Sequence, residues 1–228
     1  MNWKGIQVWG DSVLKGVVFD SDRNRYCVLK ENAVSRIAQA TELPLSNCAR
    51  MGSTAPQALE RMQQAPDQLK DQLVLIEYGG NDCDFDWKAV AAQPEKPHQP
   101  NTPVHEFEEA LRRMVAFVRQ CGGVPLMTTL PPLDAPRYLS WIVRRDQVER
   151  AALMRFLGDV QRIYRWQELY NFAILRVAAS VTCPCVALRE KFLNDLCGQD
   201  LLCVDGIHPN AEGHKLMANY FVEQLAGV

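Results

Sequence analysis

The chain has 228 residues, a length that fits one α/β domain with a sizeable apolar core. Its formal net charge is -2 and its sequence pI is about 6.1, so it lacks the basic surface that nucleic-acid binding requires. The apolar stretch at residues 172–175 is far too short to cross a bilayer. These features exclude a nucleic-acid-binding protein and predict that the chain does not insert into membranes.

The first residues lead directly into a predicted strand without an apolar leader, so we expect a cytoplasmic protein. In that compartment the eight cysteines are expected to be reduced thiols. Four of them have spacings that match no common zinc module: Cys183, Cys185, Cys197 and Cys203. We therefore predict no metal and no other cofactor.

Strand and helix patterns alternate along the chain, which predicts a parallel sheet with helices on both faces. The predicted strands lie at residues 6–9, 45–49, 73–76, 124–129 and 185–188. The third is a nearly continuous apolar run, which is typical of a strand buried on both faces. Helices are predicted from residue 54 to about 64, from 102 to the glycines at 122–123, and after Asn210.

Two segments depart from this alternation. Residues 84–101 form a polar, proline-rich connection, and residues 134–181 contain more helical sequence than one crossover needs. Both follow a predicted strand, and α/β sheets bind ligands beyond the carboxyl ends of their strands. We therefore predict a single domain over residues 1–228, with two insertions that shape a substrate pocket.

A serine follows the first predicted strand. In Gly10-Asp11-Ser12 the Ser12 hydroxyl lies at the start of a predicted helix, where free backbone N–H groups favour a developing oxyanion. An isolated triplet of this kind is more often a simple helix cap. The G-x-S-x-G nucleophile elbow is absent, which disfavours the common α/β-hydrolase fold.

An acid and a base lie close to the end of the chain. A serine hydroxyl needs a base to take its proton, and that base needs an acceptor that fixes its tautomer. The spacing of Asp205 and His208 places both groups on one turn, and Pro209 stiffens it. Alone, this string is also compatible with an ordinary junction between a loop and a helix.

Two further segments follow predicted strands. Gly79-Gly80-Asn81-Asp82 ends the third strand, and the Asn81 amide can donate to an oxyanion. Gly52 follows the second strand, where its backbone N–H can face the same edge of the sheet. Each string alone is compatible with a plain turn. Their placement at different strand ends predicts that they meet in one site.

These four segments together resemble the SGNH (GDSL-type) hydrolases, and the resemblance extends from about residue 5 to residue 221. It implies a three-layer α/β/α sandwich with a flavodoxin-like parallel sheet. It also implies that Ser12 is the nucleophile, His208 the general base and Asp205 its partner. The implied oxyanion hole consists of the Ser12 and Gly52 N–H groups and the Asn81 side chain.

We therefore predict a serine esterase that acts on a small-molecule ester through an acyl-enzyme. The polar insertion carries Asp84 and Trp87, and Trp141 lies in the other insertion. As predicted substrate-binding residues, these three favour a short acyl group, such as acetyl, on a polar or carbohydrate alcohol. The alternatives are a lysophospholipase or thioesterase with a longer acyl chain and a catalytically silent ligand-binding domain. A nucleotide binder is disfavoured because no phosphate-loop or G-x-G-x-x-G pattern occurs.

Overall fold

A parallel sheet of five strands lies at the centre of the computed structural model, which describes residues 3–194 and 200–225. The strands of the described chain are β1 (Gly5–Gly10), β2 (Val17–Asp20), β3 (Arg25–Val28), β4 (Leu45–Asn47), β5 (Gln72–Glu77), β6 (Val124–Thr128) and β7 (Cys185–Val186). The order in the main sheet is β4-β1-β5-β6-β7, and all neighbours are parallel. This is the flavodoxin-like order, so the predicted fold class is confirmed.

Helices cover both faces of this sheet. The α-helices of the described residues are α1 (Ser12–Lys15), α2 (Ala33–Thr41), α3 (Ala55–Gln63), α4 (Trp87–Ala92), α5 (Val104–Gln120), α6 (Ala135–Asp146), α7 (Arg150–Leu157), α8 (Arg162–Ser180), α9 (Leu188–Leu193) and α10 (Ala211–Leu225). Helices α3, α5 and α8 pack on one face, and α2, α9 and α10 on the other. The result is three layers with an apolar core on each side of the sheet.

Strand β5 shows why an unbroken apolar run becomes a central strand. Val74 and Ile76 point into the core below α3, α5 and α8, whereas Leu73 and Leu75 point into the opposite core. Successive side chains of a strand point to opposite faces, so a strand covered on both sides needs apolar residues at every position. The predicted strand at 73–76 is confirmed and extended by one residue at each end.

The second predicted strand is shorter than expected. It ends at Asn47, whose side chain accepts from the Ala49 N–H at 2.9 Å and donates to the Leu14 carbonyl at 2.9 Å. These side-chain hydrogen bonds bend the chain after Asn47, although the N–H groups of Cys48 and Arg50 still donate to the Val8 and Gly10 carbonyls of β1. The fifth predicted strand likewise ends at Val186, because α9 begins at Leu188.

The sequence analysis did not assign a hairpin formed by β2 and β3. The two strands pair antiparallel, with Phe19 opposite Tyr26, outside the main sheet. Helices α2 and α4 were also not predicted, and α4 lies inside the polar connection at residues 84–101. The predicted insertions form a third apolar cluster of their own, which contains Trp87, Leu139 and Leu153.

Candidate active site

Ser12 lies where the first strand passes into a helix. Strand β1 ends at Gly10, and the Asp11 carboxylate caps the short helix α1 by accepting from the Val13 N–H at 2.9 Å. Because Asp11 occupies the cap, the Ser12 side chain is free for another contact. Its Oγ lies 2.9 Å from Nε2 of His208. The structure thus brings together two residues that are 196 positions apart in the chain.

Asp205 orients the imidazole from the opposite side. Its Oδ2 lies 2.6 Å from Nδ1 of His208, and its Oδ1 accepts from the N–H groups of Ile207 and His208 at 3.1 Å each. Although burial opposes its ionisation, the hydrogen bonds and charge of His208 and these backbone donors hold the pKa of Asp205 below its usual value. Asp205 is therefore a carboxylate that fixes the tautomer and direction of the ring.

The predicted oxyanion donors occupy the adjacent strand ends. Asn81 follows β5, and its Nδ2 donates to Asp11 Oδ2 at 2.9 Å and to the Ser53 carbonyl at 3.4 Å. A Cβ on Gly80 would lie only 3.1 Å from Asp11 Oδ2, which explains the glycine at that position. Gly52 has a left-handed φ of 76° and is exposed, and it does not line the cavity beside Ser12.

A cavity of about 240 Å³ opens beside Ser12 and His208. Both predicted insertions contribute to its wall, which is mainly apolar and includes Phe85, Trp87, Phe156, Leu157, Ile163 and Trp166. A mostly apolar hollow with a few polar groups at one end is the usual form of a small-molecule site. The polar groups that line this cavity include Ser12 and His208.

Two of the three predicted substrate-binding residues line this cavity. Asp84 accepts from Trp87 Nε1 at 2.7 Å and from the Tyr138 hydroxyl at 2.8 Å, so each of its oxygens already has a donor. Trp141 does not line the cavity. Its ring packs against Phe19 of the hairpin, with the centroids 4.5 Å apart.

A protein-family model for the GDSL-like lipase/acylhydrolase family matches residues 8–216. The chain belongs to this family. Its members are serine hydrolases of the esterase class, so the predicted recognition and enzyme class are confirmed. No curated protein matches the chain significantly in sequence.

Several solved structures have the same fold as this GDSL-like protein. A lipase/acylhydrolase from Enterococcus faecalis aligns with a TM-score of 0.67 at 17% identity, over 98% of this chain and 96% of the other. Axe2, an acetylxylan esterase from Geobacillus stearothermophilus, aligns with a TM-score of 0.63 at 18% identity, over 99% of this chain and 96% of the other. TesA aligns with 0.62 at 18% identity, over 97% of each chain. At these identities the likeness concerns the fold.

Tyr26, which the sequence did not indicate as a site residue, contacts the same site from the hairpin. Its hydroxyl donates to Asp205 Oδ2 at 3.1 Å, and its ring centroid lies 5.1 Å from that of His208. No local pattern marks this tyrosine, because the contact joins residues 179 positions apart.

Three carboxyl groups are buried beneath the GDSL-like site. Asp11, Glu77 and Asp82 are each at most 2% exposed, and Glu77 Oε1 has no hydrogen-bond partner within the described chain. Burial raises the pKa of all three, and the Asp11 charge raises that of Glu77 and Asp82 further. Burial and the neighbouring Asp11 charge therefore favour the neutral form of Glu77, which limits the negative charge beside Ser12.

The raised pKa of Asp82 should make the stability of the folded protein depend on pH. Its oxygens accept from the Ala55 N–H at 3.0 and 3.2 Å, yet burial raises its pKa to about 7 from 3.8. The folded protein therefore binds more protons than the unfolded chain between these values. The resulting stability is fully present below about pH 3.8 and is lost as the pH rises through about 7.

We expect Asp82→Asn to remove this pH dependence, because an amide keeps an acceptor for Ala55 and cannot ionise. Above pH 7 the variant should be more stable than the wild type, by up to about 4 kcal/mol, whereas the two should be similar at pH 4. Denaturant unfolding at pH 4, 6 and 8 measures the difference. Asp22→Asn, which changes an exposed carboxylate, is the control. A difference that does not grow with pH contradicts the expectation.

Within residues 3–194 and 200–225, no group of three or more His, Cys, Asp or Glu side chains could hold a metal ion. The seven cysteines in this part of the chain are free thiols, and Cys197 lies outside it. In the same part of the chain, no helix is both long and apolar enough to cross a membrane.

Proposed function

We propose that this GDSL-family protein hydrolyses carboxylic esters through an acyl-enzyme on Ser12. The observation that carries the proposal is the 2.9 Å contact between Ser12 Oγ and His208 Nε2, with Asp205 2.6 Å behind the ring. This chain of contacts joins a hydroxyl to a base and the base to a buried carboxylate. It is the arrangement that activates a serine for attack on a carbonyl carbon.

The reaction follows from these contacts. Ser12 Oγ attacks the ester carbonyl while His208 Nε2 accepts its proton, and Asp205 stabilises the imidazolium. As the carbonyl re-forms, the bond to the alcohol oxygen breaks and His208 gives the proton to that oxygen. Water then attacks the acyl-Ser12 ester, again with His208 as base, and releases the acid and the free serine.

The negative oxygen of each tetrahedral intermediate needs donors. Ser12 N–H lies at the first turn of α1, and the Asn81 amide lines the cavity beside it. Of the two Asn81 contacts, the one to the Ser53 carbonyl is the longer at 3.4 Å and is the easier to exchange for a substrate oxygen. We propose the Ser12 N–H and the Asn81 amide as donors. The Gly52 N–H stays a prediction as the third donor, because Gly52 does not line the cavity.

The apolar cavity favours an acyl group of medium length over acetyl. Each methylene that leaves water for an apolar wall contributes about 0.8 kcal/mol, or roughly a fourfold gain in kcat/KM. We therefore propose that p-nitrophenyl ester hydrolysis rises from acetate through butyrate to hexanoate or octanoate. The same series on Ser12→Ala gives the background rate. Activity that declines steadily from acetate onward would contradict the medium-chain preference and leave the esterase proposal intact.

A second candidate is the predicted esterase for acetyl groups on a carbohydrate alcohol. The fold similarity to an acetylxylan esterase favours it. Acetylated xylo-oligosaccharides, tested beside the ester series, distinguish the two candidates. The absence of any Ser12-dependent turnover would favour the silent ligand-binding alternative.

We expect Phe156→Ala to alter chain-length preference rather than chemistry. Phe156 lines the cavity, away from the Ser12 and His208 contact. Its ring packs edge-on against that of Phe85, with the ring centroids 5.6 Å apart. Loss of this wall should lower kcat/KM for octanoate about tenfold and leave that for acetate within threefold. Phe172→Ala truncates a phenylalanine that is 52% exposed and is the control. Equal losses for both esters would contradict an acyl pocket at Phe156.

A further inference from the structure

We propose that Tyr26 is a positioning residue that acts on His208 through Asp205. The inference rests on the catalytic roles proposed above for these two residues. The Tyr26 hydroxyl donates to Asp205 Oδ2 at 3.1 Å, and the same oxygen lies 2.6 Å from His208 Nδ1. One carboxylate oxygen thus contacts both the tyrosine and the imidazole.

Asp205 is fully buried and its oxygens are saturated with donors. Oδ1 accepts two backbone N–H groups, and Oδ2 accepts the Tyr26 hydroxyl and the His208 ring. With four donors, the carboxylate has one orientation, and that orientation directs Nδ1 and hence the whole ring. Without Tyr26, Oδ2 retains only the histidine.

Packing of the hairpin fixes where the Tyr26 hydroxyl lies. Phe19 is opposite Tyr26 in the β2–β3 ladder, and their ring centroids are 5.3 Å apart in an edge-to-face contact. Trp141 of α6 packs against both rings, at 4.5 Å from Phe19 and 5.9 Å from Tyr26. The Tyr26 ring also contacts the His208 ring at 5.1 Å. Trp141, predicted to bind substrate, is therefore placed to support Tyr26.

The hydroxyl is a donor throughout the working pH range. Burial, followed by the charge and hydrogen bond of Asp205, raises the pKa of Tyr26 above its usual value. The positive charge of Arg145 of α6 lowers the pKa of Tyr26 and so opposes this shift. Asp11 and His214 of α10 also interact electrostatically with His208.

This geometry gives Tyr26 two effects. The hydroxyl restricts rotation of the Asp205 carboxylate, and it also withdraws part of the negative charge that the imidazolium meets. Removal of the hydroxyl leaves a carboxylate that holds the imidazolium more tightly. The acidic limb of the pH–rate profile should then move to higher pH, because the base takes up a proton more readily.

The test compares the wild type with Tyr26→Phe, which keeps the aromatic packing and removes only the donor. We expect kcat/KM for p-nitrophenyl esters to fall about tenfold. The acidic limb of the pH–rate profile should shift to higher pH by roughly 0.5 pH unit. Tyr170→Phe is the matched control, because its buried hydroxyl donates to the Thr102 carbonyl away from the site. That variant should lose stability without a shift of the profile.

A second readout does not depend on substrate. The proton between His208 and Asp205 gives a far-downfield NMR resonance, and we expect Tyr26→Phe to change its position and the midpoint of its titration. An unchanged resonance and an unchanged profile in a folded Tyr26→Phe protein overturn the inference. If the wild type shows no esterase activity, the proposed function fails, and the resonance alone then decides whether Tyr26 acts on this pair.

Discussion

We expect Ser12→Ala to lower kcat for p-nitrophenyl esters by at least about 10⁴-fold and to leave the folded structure intact. The loss is large because no other hydroxyl is held 2.9 Å from His208 Nε2 among the described residues. Folding should be unaffected because Asp11, and not Ser12, caps helix α1. Parallel kinetics and thermal unfolding of the two proteins measure both expectations.

Covalent trapping identifies the nucleophile directly. A fluorophosphonate should add one phosphonyl group to the wild type, on the peptide that contains Ser12, and none to Ser12→Ala. Ser140→Ala, which alters an exposed serine on α6, should retain both labelling and turnover. A Ser12→Ala protein with more than a few per cent of wild-type activity would show that another group attacks the ester.

Asn81→Ala should reduce kcat by about 10²- to 10³-fold with little change in KM. Loss of one donor to an oxyanion costs about 2.7–4 kcal/mol in the transition state, whereas the ground-state carbonyl needs that donor far less. Asn81 lies in the loop after β5, donates to Asp11 and lines the cavity, which supports this role. Steady-state kinetics at saturating ester separate the two constants.

The control for Asn81 is its neighbour Asn101. Asn101 Nδ2 donates to the Asn81 carbonyl at 2.9 Å and so supports the same loop, but its side chain does not line the cavity. We expect Asn101→Ala to reduce kcat less than threefold. Comparable losses in both variants would mean that loop order, and not a donor to the oxyanion, explains the effect of Asn81→Ala.

Local features of the sequence were sufficient to predict the main sheet. The run at residues 73–76 is apolar at every position, which only a strand covered on both faces requires, and the structure contains such a strand at β5. The helix predicted from residue 54 is likewise confirmed as α3, and Thr54 and Gln57 form a capping box at its start. Such signals lie within a few residues of one another, so periodicity and side-chain capping reveal them.

The candidate site was predictable because its parts lie at strand ends. Ser12 follows β1 and Asn81 follows β5, and adjacent parallel strands bring their carboxyl ends to one edge. The short spacing of Asp205 and His208 places acid and base on one turn. Topology therefore brings Ser12, Asn81 and the His208–Asp205 pair into one site, whereas Gly52 does not line its cavity.

Contacts between distant segments were decided only by the tertiary structure. Tyr26 lies on a hairpin whose strands are four residues long, and nothing near it in sequence indicates its contact with Asp205. The apolar lining of the cavity depends on how α4, α6, α7 and α8 pack together. For the same reason Trp141, which was predicted to bind substrate because it lies in the second insertion, packs against the hairpin and does not line the cavity. Sequence determined the sheet and the order of the polar segments along its edge, whereas side-chain packing between insertions decided the shape of the site, because such packing has no local signature.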